Sequence, residues 1–164
     1  MPLDDDLPPG CVPYLPCEVD TVLAAVWQAN VTPADVFVDV GSGVGRAALL
    51  VHLATGASCV GLEIQPGLVS AAQARAESLR LSRVQFLAGD AVELAPSTPG
   101  TVFFLYCPFS GQRLARLLDG LAAVAQTRSI RVCCVDMAPL DAPWLMRLPA
   151  LTPRVDVYQS TLVP

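Results

Sequence analysis

The sequence contains no lysine: its ten basic residues are all arginines, set against fifteen acids for a formal charge of −5. A chain that grips a phosphate backbone carries a clustered basic surface, and the densest group here is only Arg75, Arg80 and Arg83. Nucleic acid is therefore not the expected partner; the acid excess suits a neutral or cationic one, such as a protein or a small molecule. Histidine occurs once, and the six cysteines (Cys11, Cys17, Cys59, Cys107, Cys133, Cys134) form no C-x-x-C pair. That spacing offers no zinc site, so no metal is expected and the thiols are expected reduced, in or near the core. No apolar run reaches the roughly 18 residues of a membrane helix. The first six residues carry three aspartates, where a signal peptide would carry positive charge. These absences predict a cytoplasmic protein without membrane attachment.

What is present is a 164-residue chain that is 53% hydrophobic, enough for one buried core. Residues 1–17, with Pro2, Pro8, Pro9, Pro13 and Pro16, read as an N-terminal arm, and residues 18–164 as a single domain. Val19, Val22, Leu23, Val26 and Trp27 have the spacing of one helical face. Short runs rich in β-branched and aromatic residues follow at Val36–Val40, Cys59–Ile64, Val84–Leu87, Thr101–Tyr106 and Ile130–Val135. Helical patterns separate most of them: Ala47 to Ala54, Leu68 to Leu79, and Leu114 to Ala125. That alternation predicts a doubly wound α/β fold. Trp144–Leu148 and Val155–Val163 are expected as an antiparallel C-terminal hairpin, giving a mostly parallel sheet of six or seven strands.

The first strand run leads into Asp39-Val40-Gly41-Ser42-Gly43-Val44-Gly45-Arg46. A glycine turn between a buried strand and a helix lets backbone approach a ligand closely. The dinucleotide pattern G-x-G-x-x-G, counted from Gly41, ends on Arg46 and so does not fit. An acid two residues before the first glycine would repel a phosphate but suits a ligand carrying positive charge. Glu63, near the end of the second strand run, can accept hydrogen bonds from both hydroxyls of a ribose. Asp90, in Gly89-Asp90-Ala91 after the third, can accept from an exocyclic amine while a neighbouring N–H meets the ring. The bland alternatives are that Glu63 caps a helix beginning near Pro66 and Asp90 one beginning at Ala91.

Taken in order, these motifs resemble the class I S-adenosylmethionine-dependent methyltransferases, over about Tyr14 to Asp136. The resemblance implies a Rossmann-like fold, S-adenosylmethionine as cofactor, and binding by Tyr14, Asp39, Gly41, Ser42, Gly43, Gly45, Glu63, Ile64, Gly89, Asp90 and Ala91. Tyr14-Leu15-Pro16-Cys17 with the glycine motif is similar to the compact methyltransferases related to the histone-lysine enzymes of the telomeric-silencing type, whose arm folds over the methionine end of the cofactor. Cys17 stands where many of them carry Thr. The family's acceptor wall falls on Tyr106, Cys107, Pro108 and Phe109. Amine-specific nucleic-acid methyltransferases have Asn or Asp, two prolines and an aromatic there, and the amide or acid is missing here. The expected activity is methyl transfer to an acceptor such as a protein lysine or other amine; the rival is a non-catalytic cofactor- or partner-binding subunit. A nicotinamide-dependent reductase fits Asp39 and Arg46 poorly. His52 is expected on a helix face and not as a base, and Arg46, near the helix N-terminus, is expected to pack or pair locally and not to contact the acceptor.

Overall fold

A computed structural model describes residues 7–9, 11, 15–106 and 109–161. Seven strands form one sheet: β1 Val36–Val40, β2 Ser58–Glu63, β3 Val84–Ala88, β4 Val102–Tyr106, β5 Arg131–Val135, β6 Leu145–Arg147 and β7 Val155–Ser160, in the order β3-β2-β1-β4-β5-β7-β6. The first five run parallel, and β7 lies antiparallel between β5 and the edge strand β6. The chain is thus the Rossmann-like α/β fold expected, hairpin included.

Five helices accompany the strands among the described residues: α1 Val19–Gln28, α2 Arg46–Thr55, α3 Pro66–Ser78, α4 Ala91–Leu94 and α5 Gly111–Ala125. Alternate side chains of each strand enter opposite faces, and two cores result. Phe37, Phe104, Cys133, Val155 and Val157 pack with α1, α2 and α3; Val38, Val40, Phe103, Leu105 and Val132 pack with α4 and α5. Four of the five described cysteines are buried. Burial pushes the thiols of Cys17, Cys59 and Cys133 up to about 11, 12 and 12, leaving them as small core residues.

One expectation needs correction. In α1 the buried face is Thr21, Val22, Ala25 and Val26, while Trp27 is 69% exposed. Small alanines fit against the neighbouring layer where the indole does not. The β3–β4 connection contains α4, which begins at Ala91 as the capping alternative for Asp90 has it, and a following 3-10 turn, Ala95–Ser97. Asp90 starts that helix by accepting a hydrogen bond from the Val92 N–H at 3.0 Å.

The order reverses between β1 and β4, where the strand sequence runs outward in both directions. In open α/β sheets, ligands occupy the crevice at the carboxyl ends of strands beside such a switch point. Asp39 lies opposite Gly61 of β2, and Glu63 opposite Ala88 of β3, so Asp39, Glu63 and Asp90 come to that end from adjacent strands.

Candidate functional site

The glycine loop leaves β1 in a left-handed backbone path, with φ of 83° at Gly41, 53° at Gly43 and 81° at Gly45. The N–H groups of Gly41 and Ser42 both donate to the Leu62 carbonyl at 2.9 Å, tying the turn to β2. At Gly45 a side chain is excluded twice: the backbone is left-handed, and a Cβ would stand 2.5 Å from Cζ of Phe86. Close packing of the loop on β3's aromatic ring sets where α2 begins.

Glu63 joins this loop to the next helix. Its Oε2 accepts from the Gly43 N–H and its Oε1 from the Gln65 N–H, each at 2.9 Å, and Gln65 is the N-cap of α3. Glu63 thus holds the N–H of the N-cap residue and does not itself cap α3. A carboxylate offers about four lone-pair sites, of which these two bonds use one on each oxygen.

Asp39 is 4% exposed and Glu63 8%. Burial, and next the nearby Glu63, push the Asp39 carboxyl up to about 7, opposed by a backbone hydrogen bond from Ala48 at the start of α2. Neither acid forms an ion pair among the described residues; the six pairs found there lie elsewhere. Two neighbouring buried carboxylates without a cation are costly, and a positively charged ligand would relieve that cost.

Asp90 differs. It is half-buried, and its Oδ1 accepts both from Val92 N–H and from Arg113 at 2.6 Å. Burial works against its charged form, but the Arg113 and Val92 hydrogen bonds outweigh it and hold the carboxyl below its ordinary range. Arg113, in the first turn of α5, also stacks its guanidinium 5.3 Å from the Phe109 ring centroid. Arg113 was not among the residues the sequence singled out: its contact with Asp90 spans 23 residues, and no local pattern marks it. Phe109 is 6% exposed and forms an antiparallel bridge with Cys11. The third-strand acid, the segment after β4 and part of the arm thus meet at one guanidinium.

The other expected site residues distribute as follows. Gly89 donates its N–H to the Glu63 carbonyl at 2.9 Å, Ala91 is the first residue of α4, and Ile64 and Tyr106 are half-buried at the ends of β2 and β4. The Ser42 hydroxyl is buried without a partner, 2.7 Å from where a Cβ on Gly61 would stand; it is turned beneath the loop. Tyr14, Cys107 and Pro108 lie outside the described residues. Arg46 is exposed, and the His52 ring bonds the Ala57 carbonyl at 2.7 Å at the far end of α2. Among the described residues no cluster of three His, Cys, Asp or Glu could hold a metal ion, and no helix is long and apolar enough to cross a membrane.

Residues 32–102 match the model of a methyltransferase domain. No curated protein matches the sequence. Among solved structures, the chain is similar to an RNA methyltransferase from Salinibacter ruber in complex with S-adenosyl-L-homocysteine, at 25% identity and a TM-score of 0.68, over 91% of this chain and 94% of that one. It is also similar in fold to the putative methyltransferase yhhF from Escherichia coli, with 18% identity, TM-score 0.68 and coverage of 93% and 89%. A third likeness is to a mutant of MtNAS in complex with S-adenosylmethionine, with 15% identity, TM-score 0.68, and coverage of 89% of this chain and 62% of that one.

Proposed function

We propose that this chain, a methyltransferase that uses S-adenosylmethionine, transfers the methyl group to an amine of a protein. The observation that carries the cofactor half is the pair of buried acids, Asp39 and Glu63, flanking a left-handed glycine loop with no ion-pair partner among the described residues. When bound, S-adenosylmethionine supplies an electrophilic methyl on a sulfonium. Glu63, already fixed by two backbone N–H groups, would take the ribose hydroxyls on its remaining lone pairs. Asp39 would stabilise the positive charge across the loop, and Asp90 with Ala91 N–H would meet the adenine edge. Gly41 and Gly43 would keep side chains out of the cofactor's path, while Gly45 lets the loop pack on Phe86.

On the acceptor side, Tyr106 and Phe109 would form the wall with Cys107 and Pro108, and the arm around Tyr14 would cover it; the bridge from Cys11 to Phe109 supports this. Holding a nucleophile in line with the methyl can supply much of the rate by itself. A protein amine is favoured by the likeness of Tyr14-Leu15-Pro16-Cys17 and the glycine motif to the histone-lysine-related group, and by a chain of net charge −5 that attracts basic proteins. A second reading, RNA as acceptor, draws on the likeness to the Salinibacter ruber enzyme.

Calorimetric titration tests the cofactor half: binding of both S-adenosylmethionine and S-adenosyl-L-homocysteine is expected, and folded protein that takes up neither would overturn it. Cofactor labelled in the methyl group, offered with basic proteins, small amines and RNA, tests the acceptor. Label is expected on lysine of a protein; label on RNA alone would establish the second reading.

A further inference from the structure

Each parallel crossover from β1 to β5 carries a helix, whereas residues 136–144, between β5 and β6, carry none. The consequence is uneven cover. One face of the sheet holds α1, α2 and α3, while the other holds α5 and the four-residue α4. Alongside α5 the second face is open as a trough of about 690 Å³. Phe109, Leu114 and Leu118 line it on the α5 side, and Met137, Leu140 and Trp144 on the other.

The walls are held in place. Leu140 N–H donates to the Tyr158 hydroxyl at 3.2 Å, Thr161 N–H to the Trp144 carbonyl at 2.8 Å, and Leu145 N–H to the Ala142 carbonyl at 3.0 Å. Among the described residues, the charged ones along the trough are Asp119, Asp136 and Asp141, without a base. Asp136 is held by Arg154 at 2.6 Å, so the exposed Asp119 and Asp141 set the sign of the rim. One end of the trough reaches Phe109, in the acceptor wall.

We propose that this trough docks a basic amphipathic helix of the protein acceptor. It lies where a helix packed beside α5 would sit, at the roughly 8–10 Å spacing of neighbouring helices. An apolar stripe at i, i+3, i+4 and i+7 would fill it, and basic residues flanking that stripe would meet Asp119 and Asp141. A second copy of this chain fits less well, since it brings another −5 and no lysine. The partner's being the acceptor rests on the methyl-transfer reading; the groove does not.

The test uses full-length protein without cofactor, in a Trp27→Phe background, where Trp144 is the one remaining tryptophan. Two synthetic helical peptides serve as probes, each with leucine at the stripe positions and either lysine or glutamate elsewhere. The lysine peptide should shift Trp144 emission and bind at least about tenfold more tightly than the glutamate peptide. Asp119→Lys with Asp141→Lys should abolish that preference, while Asp20→Lys with Glu77→Lys, on helices of the opposite face, should leave it intact. Equal binding of both peptides, an unmoved Trp144 signal, equal loss in the control pair, or concentration-dependent dimerisation that hides Trp144 would each overturn the groove. Peptide binding as expected in a protein that transfers no methyl group would preserve the groove and overturn the acceptor assignment alone.

Discussion

Asp39 shows how one buried carboxyl can link pH, stability and ligand binding. In an unfolded chain it ionises near about 3.9; in the folded protein burial and Glu63 raise it to about 7. Between these values the native state holds the extra proton, so its contribution to stability is full below the lower value and is lost as pH rises through the upper. Asp35, Asp90 and Asp136 are shifted the other way; their contributions fall away only in acid below the ordinary carboxylate range. Urea melts should therefore show wild type losing stability from about pH 4 to pH 7, and Asp39→Asn losing much less. The cofactor's positive charge should favour ionised Asp39, so calorimetry should show binding tightening over the same interval in wild type and not in Asp39→Asn. Glu63 supports a second prediction. Glu63→Ala leaves two backbone N–H groups without an acceptor, each costing about 1–3 kcal/mol where buried, and should weaken S-adenosylmethionine binding by at least about tenfold. Titration of Glu63→Gln, which keeps one carbonyl oxygen, should fall between the two; unchanged binding in Glu63→Ala would contradict the ribose role.

The loop from Gly41 to Gly45 is an element held by its neighbours: β2 through the Leu62 carbonyl and β3 through Phe86. Gly45→Ala must strain a φ of 81° and displace an aromatic ring whose nearest atom would be 2.5 Å away. Overpacking of this kind costs about 1–3 kcal/mol, and at this chain length each kcal/mol lowers Tm by roughly 2–4 °C. Calorimetric melting should show that drop, whereas Gly67→Ala, with open space around the added methyl, should not. The start of α5 is held differently. Arg113 binds Asp90 and stacks on Phe109, so the segment after β4 is anchored to the carboxyl end of β3.

Across the whole molecule, the ends of the strands opposite the site are closed by one polar network. Asp35, just before β1, accepts from the Thr32 N–H at 2.9 Å and the Thr101 hydroxyl at 2.8 Å, and pairs with Arg131 of β5, which also donates to the Ala29 carbonyl behind α1. Burial opposes its charge, but these hydrogen bonds and Arg131 hold the carboxyl below its ordinary range. Asp35→Ala should cost about 1–3 kcal/mol in denaturant melts, since it leaves Arg131 and two donors poorly paired. The same substitution should leave cofactor affinity near wild type, because the network lies at the other end of the sheet.

The order of strands and helices was legible because each element writes its period locally: β-branched runs for β1 to β5, an apolar stripe for α5, turn residues between them. Asp39, Glu63 and Asp90 were legible as ligand candidates because the parallel fold brings the ends of successive strands together. Other features required the three-dimensional arrangement. The Glu63 hydrogen bonds to Gly43 and Gln65, the reach of Arg113 to Asp90 and Phe109 and the exposure of Trp27 all depend on which surfaces meet across the sheet. A side chain's spacing along the chain sets the face it occupies; only packing decides whether anything covers that face. The trough beside α5 is the clearest instance, because it follows from a helix that the β5–β6 connection does not contain.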